Sequence, residues 1–258
     1  MPGPVSARYL ARGLARSDHE GARFPTTRFS ALLGAKSSEP EQRERSWEAL
    51  VRAYWAPVFK HIRIRWRRDA PEAEDLTQAF FARALEQDFL LGFDARRARF
   101  RTFLRVCLDR FVSNERKATS RIKRGGGTLT VSMDFPAAEA EIARVPANDD
   151  PESSFDREWR RSVLRLSIER LKSELERAGK RSVFEVFERY DLADEHERPT
   201  YEALARELGL PPTTVTNQLA LARRELRRIA LEELATITSG RDELHEEAQA
   251  FFQGQARR

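Results

Sequence analysis

The stretch Tyr201-Glu-Ala-Leu-Ala-Arg-Glu-Leu-Gly209-Leu-Pro-Pro-Thr-Thr-Val-Thr-Asn-Gln-Leu-Ala-Leu-Ala-Arg-Arg-Glu-Leu226 reads as two helices joined by a tight turn. Thr200, just ahead of it, has the short oxygen-bearing side chain of an N-cap. Gly209 suits the left-handed residue that ends a helix, and Pro212 suits the first turn of the next one. Leu204, Leu208, Val215 and Leu219 recur at the spacing that packs the pair together. Thr213, Thr214, Thr216 and Asn217 then face outward at the start of the second helix, where hydroxyls and amides can reach bases or phosphates. Arg223 and Arg224 lie further along, where phosphates would run. This is the arrangement that lays a helix in a DNA major groove. An ordinary helical hairpin carries the same local signature, and this stretch alone does not separate the two.

Working outward, helical periodicity continues on both sides. Trp159, Val163, Leu166, Leu171 and Leu175 mark one helix, and Val183, Phe184, Val186, Phe187 and Tyr190 another. Towards the N-terminus, Trp47, Leu50, Val51, Tyr54, Trp55, Val58 and Ile62 repeat every three or four residues, with Pro57 predicted to kink or split the helix. Leu76, Phe80, Phe81 and Leu85 form a second stripe, opened by Glu72, Glu74 and Asp75, acids that suit a helix N-terminus. Phe100, Phe103, Leu104, Cys107, Leu108, Phe111 and Val112 form a third, whose opposite face carries Arg101, Arg105, Arg110 and Arg116. Gly125-Gly126-Gly127 halts helix formation. The acidic, proline-containing stretch from Thr128 to Ser154 shows no sustained period and reads as a flexible linker. The segment after Thr236 is highly charged and reads either as one more helix or as a fraying end.

Composition narrows the function classes. The 258 residues are 40% hydrophobic and 34% charged, rich in helix-forming Leu, Ala, Arg and Glu, and poor in alternating β-branched residues. The net charge is only +5, but it is unevenly spread. From Arg96 to Arg124 only Asp109 and Glu115 oppose a run of cations, whereas from Asp134 to Glu158 acids predominate over Arg144 and Arg157. A basic block beside an acidic one fits a polyanion-binding surface followed by a linker, and equally a solvated helix face. Cys107 is the single cysteine, so no internal disulfide can form, and its place in the apolar repeat makes it a packing residue. No apolar run approaches the ~18 residues of a membrane span, and Met1–Arg23 lacks a secretory apolar stretch, which together predict a cytoplasmic chain. His19, His61, His196 and His245 are scattered, and neither a phosphate-cradling loop nor a nucleophile elbow occurs, so neither enzyme activity nor a cofactor is expected.

Several motifs then share one order. Glu74-Asp75-Leu76-Thr77-Gln78 precedes Phe80-Phe81; Phe100-Arg101-Thr102-Phe103-Leu104 follows; next come Asn114-Glu115 and Lys123-Arg-Gly-Gly-Gly127. From Thr26 to Ile229 the chain resembles the extracytoplasmic-function (ECF) sigma factors, and within them a long-linker subgroup. The resemblance implies an all-α protein of two small helical domains joined by a flexible linker, the second containing the helix-turn-helix. Residues 1–25 would be a disordered tail and 26–124 the region binding core RNA polymerase and the −10 promoter element. Residues 125–154 would be the acidic linker, 155–235 the −35-binding region, and 236–258 a charged tail outside the family's usual fold. Asp75, Leu76, Gln78 and Phe81 would grip core polymerase. Arg101, Arg105, Asn114 and Arg116 would contact and melt the −10 element. Thr213, Thr214, Thr216, Asn217 and Arg223 would read the −35 element.

The implied partners are core RNA polymerase and promoter DNA, with an anti-sigma protein as the common antagonist of the class. Two departures stand out. Thr216, Asn217 and Gln218 follow Val215 where the family often has Lys or Arg, and Ala98-Arg99-Phe100 replaces Gly-Arg-Phe. The competing expectation is a stand-alone helix-turn-helix regulator, which would need neither a polymerase-docking helix nor a basic melting helix.

Overall fold

A computed structural model describes residues 31–35, 37, 39–86, 92–94, 96–118, 133–142, 150–194 and 196–253. These residues form helices and turns, with no strand among them. The all-α class is thus the observed one. The Gly125–Gly127 run and the residues 1–25 lie outside the described residues.

Two compact units emerge. The first takes in the described residues of 27–162 together with Ala235–Leu244, and the second Val163–Leu234 with the described residues from His245 onward.

The first unit is built round α2 (Pro40–Arg65), which follows the short α1 (Ala31–Gly34). The middle of α2 is buried on every side: Leu50, Val51, Tyr54, Trp55, Val58, Phe59 and Ile62 are all at most 5% exposed. The helix runs through Pro57 unbroken, so the predicted split does not occur. An interior proline costs about 3 kcal/mol, but burying Val58, Phe59 and Ile62 just beyond it returns about 1.5–3 kcal/mol each. Next come α3 (Ala70–Glu86) and α4 (Phe100–Ala118), both packed on α2. Asp69 caps α3, its carboxylate accepting from the Glu72 N–H at 2.9 Å. Ala73, Thr77, Phe80, Phe81 and Ala84 form its buried stripe.

The expected flexible linker is where the structure departs most from the sequence pattern. Within it lies α5 (Phe135–Ile142), packed on α2, with the Phe135 ring centroid 5.5 Å from that of Trp55 and 5.1 Å from that of Phe59. Asp134 caps it, accepting from the Ala137 N–H at 3.1 Å. A second helix, α6 (Pro151–Arg177), starts inside the stretch expected to be linker. Asp150 is its cap, accepting from the Ser153 N–H at 2.9 Å, and Pro151 occupies the first helical position. The Ser153 backbone bond, with the Ser153 hydroxyl, holds the Asp150 carboxyl below its ordinary range. The division between the two units falls inside α6, at Ser162/Val163, not in the 125–154 segment.

The second unit contains the rest of α6, then α7 (Arg181–Asp191), α8 (Tyr201–Leu208) and α9 (Pro212–Ile237) up to Leu234. Val163, Leu171, Val186, Phe187, Leu226 and Ile229 are fully buried within it. Arg170 and Arg228 bind Glu174 and Glu232 in a shared network, with Arg170 also reaching Glu233 at 2.9 Å. The charged C-terminal segment is a helix, α10 (Arg241–Gln253). Its Phe251 and Phe252 are buried, and Arg227 of the second unit stacks over Phe252 at 4.4 Å.

If α5 is a packed element, Phe135→Ala should destabilise the protein by about 2–4 kcal/mol, the range for deleting a buried aromatic. Urea unfolding followed by circular dichroism measures this; a change within ~0.5 kcal/mol would show a surface segment instead.

Candidate nucleic-acid interface

The three sets of residues expected to do the work meet different fates in the fold. On α3, Asp75 and Gln78, three residues apart, are exposed side by side, and Leu76 is half-buried on the flank. Phe81 is 1% exposed and belongs to the core, edge-on to Phe80 at 5.4 Å. It is not available to a partner. Its place in the apolar stripe with Phe80 is the sequence signal for this.

On α4 the residues separate into three rows. Phe100, Leu104, Leu108 and Val112, one turn apart, are the buried ridge. Beside them Arg101, Arg105 and Asp109 form a polar seam. Arg101 is only 7% exposed; it lies 3.4 Å from Asp156 and its guanidinium stacks on Trp159 at 4.9 Å. Arg105 is paired with Glu152. Asp109 accepts from Trp66 Nε1 at 2.9 Å and lies 2.9 Å from His61 Nε2, in a ring environment closed by Phe155. The expectation that Arg101 and Arg105 point cations at solvent is therefore corrected: acids from α6 hold both.

The outward row of α4 is Val106, Arg110 and Asn114, with Phe103 half-buried at its edge. Of the four expected −10 contacts, Asn114 alone stands exposed; Arg116 is on the last turns of α4, but its side chain lies outside the described residues. Arg110 falls outside the expected set, although it lies one turn before Asn114 and shares its row. Cys107 is half-buried, and burial pushes its thiol up despite the nearby Arg110 charge, which suits packing rather than nucleophilic chemistry.

The α8–α9 pair has the local geometry expected from its sequence. Thr200 Oγ1 accepts from the Ala203 N–H at 3.1 Å. Gly209 is left-handed at φ 65°, and the Leu210 N–H closes the turn on the Ala205 carbonyl at 2.9 Å. Val186, Leu204, Ala205, Val215 and Leu219 make one buried cluster, with Leu208 and Leu210 against it. This leaves Thr213, Thr216 and Asn217 exposed and Thr214 half-buried.

Arg223 is committed elsewhere. Its guanidinium makes a two-pronged contact with Asp191, 2.8 Å on both prongs, and Asp191 is 1% exposed. Burial would lower the Arg223 pKa, but the Asp191 contact outweighs this and raises it. Tyr190, Tyr201 and Arg198 surround the pair, and burial with the Tyr201 hydrogen bond pushes the Tyr190 phenol up to about 12. The one sequence hint of Asp191 is an acid at the C-terminal end of a helix, where the dipole disfavours it.

Among the described residues, no group of His, Cys, Asp and Glu could hold a metal ion, and no helix is long and apolar enough to cross a membrane. Compared with known proteins, the chain matches no family model, no curated protein and no solved structure.

If the outward row of α9 reads a major groove, Thr216→Ala with Asn217→Ala weakens DNA binding by about 1–3 kcal/mol for each base read, with little change in melting temperature; unchanged binding removes that role. Arg223→Ala should lower the melting temperature as well, because it strands the buried Asp191 carboxylate. Binding anisotropy alongside thermal unfolding separates the two effects.

Asp109 gives a pH-dependent test. Burial would raise its pKa, but the bonds from His61 and Trp66 prevail and hold the carboxyl below its ordinary range. Its stabilising contribution is then fully present above about pH 4 and fades as pH falls through the lower folded-state value. Asp109→Ala should cost about 1–3 kcal/mol at neutral pH and flatten this acid limb of the stability curve. Urea unfolding at stepped pH measures both.

Proposed function

We propose that this chain is a sigma factor of the ECF kind, which binds core RNA polymerase and directs promoter recognition and melting. The observation that carries the reading is the turn-and-helix at Gly209–Asn217. A left-handed glycine and a shared apolar cluster fix α9 against α8, and a row of small polar side chains is left outward at its first turns. Side chains in that place are those a major groove receives.

The exposed Asp75 and Gln78 on α3, with half-buried Leu76 on the flank, support polymerase docking, since the two polar residues sit on the solvent side of a helix whose other face is core. In the −10 role, Arg110 and Asn114 offer donors on the outward row of α4, next to half-buried Phe103 and Phe111. Unpairing a base costs a few kcal/mol, and cations beside aromatic rings are the groups that stabilise a released strand. With Arg223 occupied by Asp191, the −35 contact rests on Thr213, Thr216 and Asn217, with exposed Arg224 nearest for phosphates. On this reading the chain works in the cytoplasm without catalysing a reaction itself.

Run-off transcription with bacterial core RNA polymerase on random-promoter templates tests the class. Asp75→Ala with Gln78→Ala should abolish the transcript while leaving the circular dichroism spectrum unchanged. Undiminished transcription from that variant would remove the docking assignment. Promoter binding with no affinity for core enzyme would favour the stand-alone regulator.

A further inference from the structure

The acidic run that separates the two sequence blocks is not idle in the first unit. Glu139 binds Arg63 of α2 with both carboxylate oxygens, one bond being 2.7 Å from Nε. Glu152 and Asp156, one turn apart on α6, face Arg105 and Arg101, one turn apart on α4. Glu141 and Glu158 hold Lys60. Carboxylates on successive turns are about 5–6 Å apart at Cβ, so α6 presents to α4 a row of negative charges, as a nucleic-acid strand presents phosphates.

We propose that Glu139, Glu152 and Asp156 form an intramolecular competitor for DNA, occupying arginines of the first unit until a nucleic-acid strand displaces them. This rests on the sigma-factor reading, since displacing the acids would add Arg101 and Arg105 of α4 to the surface that Arg110 and Asn114 of the same helix offer. Two kinds of pair are distinguished by exposure. Lys60 and Glu158 side chains are each 3% exposed and 2.5 Å apart, sealed from water. Glu152 is 58% exposed, Glu139 34% and Asp156 32%. Their arginines are less open, Arg63 at 22%, Arg105 at 19% and Arg101 at 8%, so the carboxylates are the halves in water. Pairs with one half in water are weak and screened by salt, and a carboxylate that swings out leaves its arginine to a phosphate. The free chain then binds DNA poorly until a partner holds the strand against it and effective concentration shifts the exchange.

The experiment uses the full chain carrying Glu139→Gln, Glu152→Gln and Asp156→Asn, with a random-sequence single-stranded oligonucleotide as probe in fluorescence anisotropy. The variant should bind roughly ten-fold more tightly at low salt, with a log–log salt slope steeper by about one to two, because each arginine freed adds a phosphate contact. Adding Arg105→Ala to the variant should remove much of the gain. A charge-matched control, Glu41→Gln, Glu44→Gln and Glu48→Gln on α2, should gain much less.

A variant no tighter than this control, while the wild type still binds core polymerase and the probe, overturns the competitor and leaves the sigma reading intact. Failure of wild type and variant alike to bind core polymerase or the probe at low salt overturns both. Should the triple variant lose its circular dichroism signal, Glu152→Gln alone decides, because that side chain is mostly in water. A gain of roughly two- to three-fold supports the competitor, and none overturns it.

Discussion

Lys60 sits in the middle of α2, 2% exposed, between Phe59 and His61 on a helix that is otherwise the hydrophobic axis of the first unit. An ammonium removed from water must be paired, at a desolvation cost of several kcal/mol that only close carboxylates recover. Both of its carboxylates, Glu141 and Glu158, come from beyond the basic block. The helices of 26–124 therefore cannot close their core by themselves. The acidic stretch is held against α2 by charge, and Phe135 and Phe155 add apolar area beside the same helix. Once these segments are docked, the start of α6 lies along α4, and the seam of Arg101, Arg105 and Asp109 follows.

That dependence explains what is and is not legible in the sequence. Helices α3, α4, α8 and α9 announce themselves, because each carries an apolar row at three-and-four spacing over at least two turns, and α8 adds its own cap and glycine stop. The outward position of Thr216 and Asn217 follows from the inward position of Val215 and Leu219 by geometry alone. Helix α5 offers no such row: in eight residues Phe135 is the one aromatic, and its partners Trp55 and Phe59 lie far back in the chain. The start of α6 does have a local signal, Asp150 followed by Pro151, which is a cap with proline at the first helical position. Two further prolines, Pro136 and Pro146, in an acidic window outweigh it and give the appearance of a linker.

The arginines show the same limit more sharply. Periodicity separates Arg101 and Arg105 from the apolar ridge of α4, but it cannot say whether the adjoining row meets water or another helix. The answer depends on Glu152 and Asp156 being brought alongside, a tertiary event with no local trace. Arg223 is a parallel case, because the partner that fixes it, Asp191, is contributed by α7. Cations at the expected positions of a DNA surface thus fall into two groups. Arg101, Arg105 and Arg223 are buried or half-buried against acids of the fold itself, whereas Arg110 and Arg224 are exposed, Arg224 with Glu225 3.4 Å away.

The end of the chain extends this logic to the first turn of α4. Glu243 of α10 accepts from the Phe100 N–H at 2.8 Å, and its other oxygen accepts from Ser239 N–H and hydroxyl. Helix N-terminal N–H groups carry a partial positive charge and attract anions. A carboxylate placed there satisfies one of them and leaves less positive potential for a phosphate. Acids far apart in sequence, Glu152 and Asp156 near the basic helix and Glu243 towards the end of the chain, therefore converge on its charge. Net charge alone, at +5, conceals this, because part of what cancels in the sum also meets in the fold.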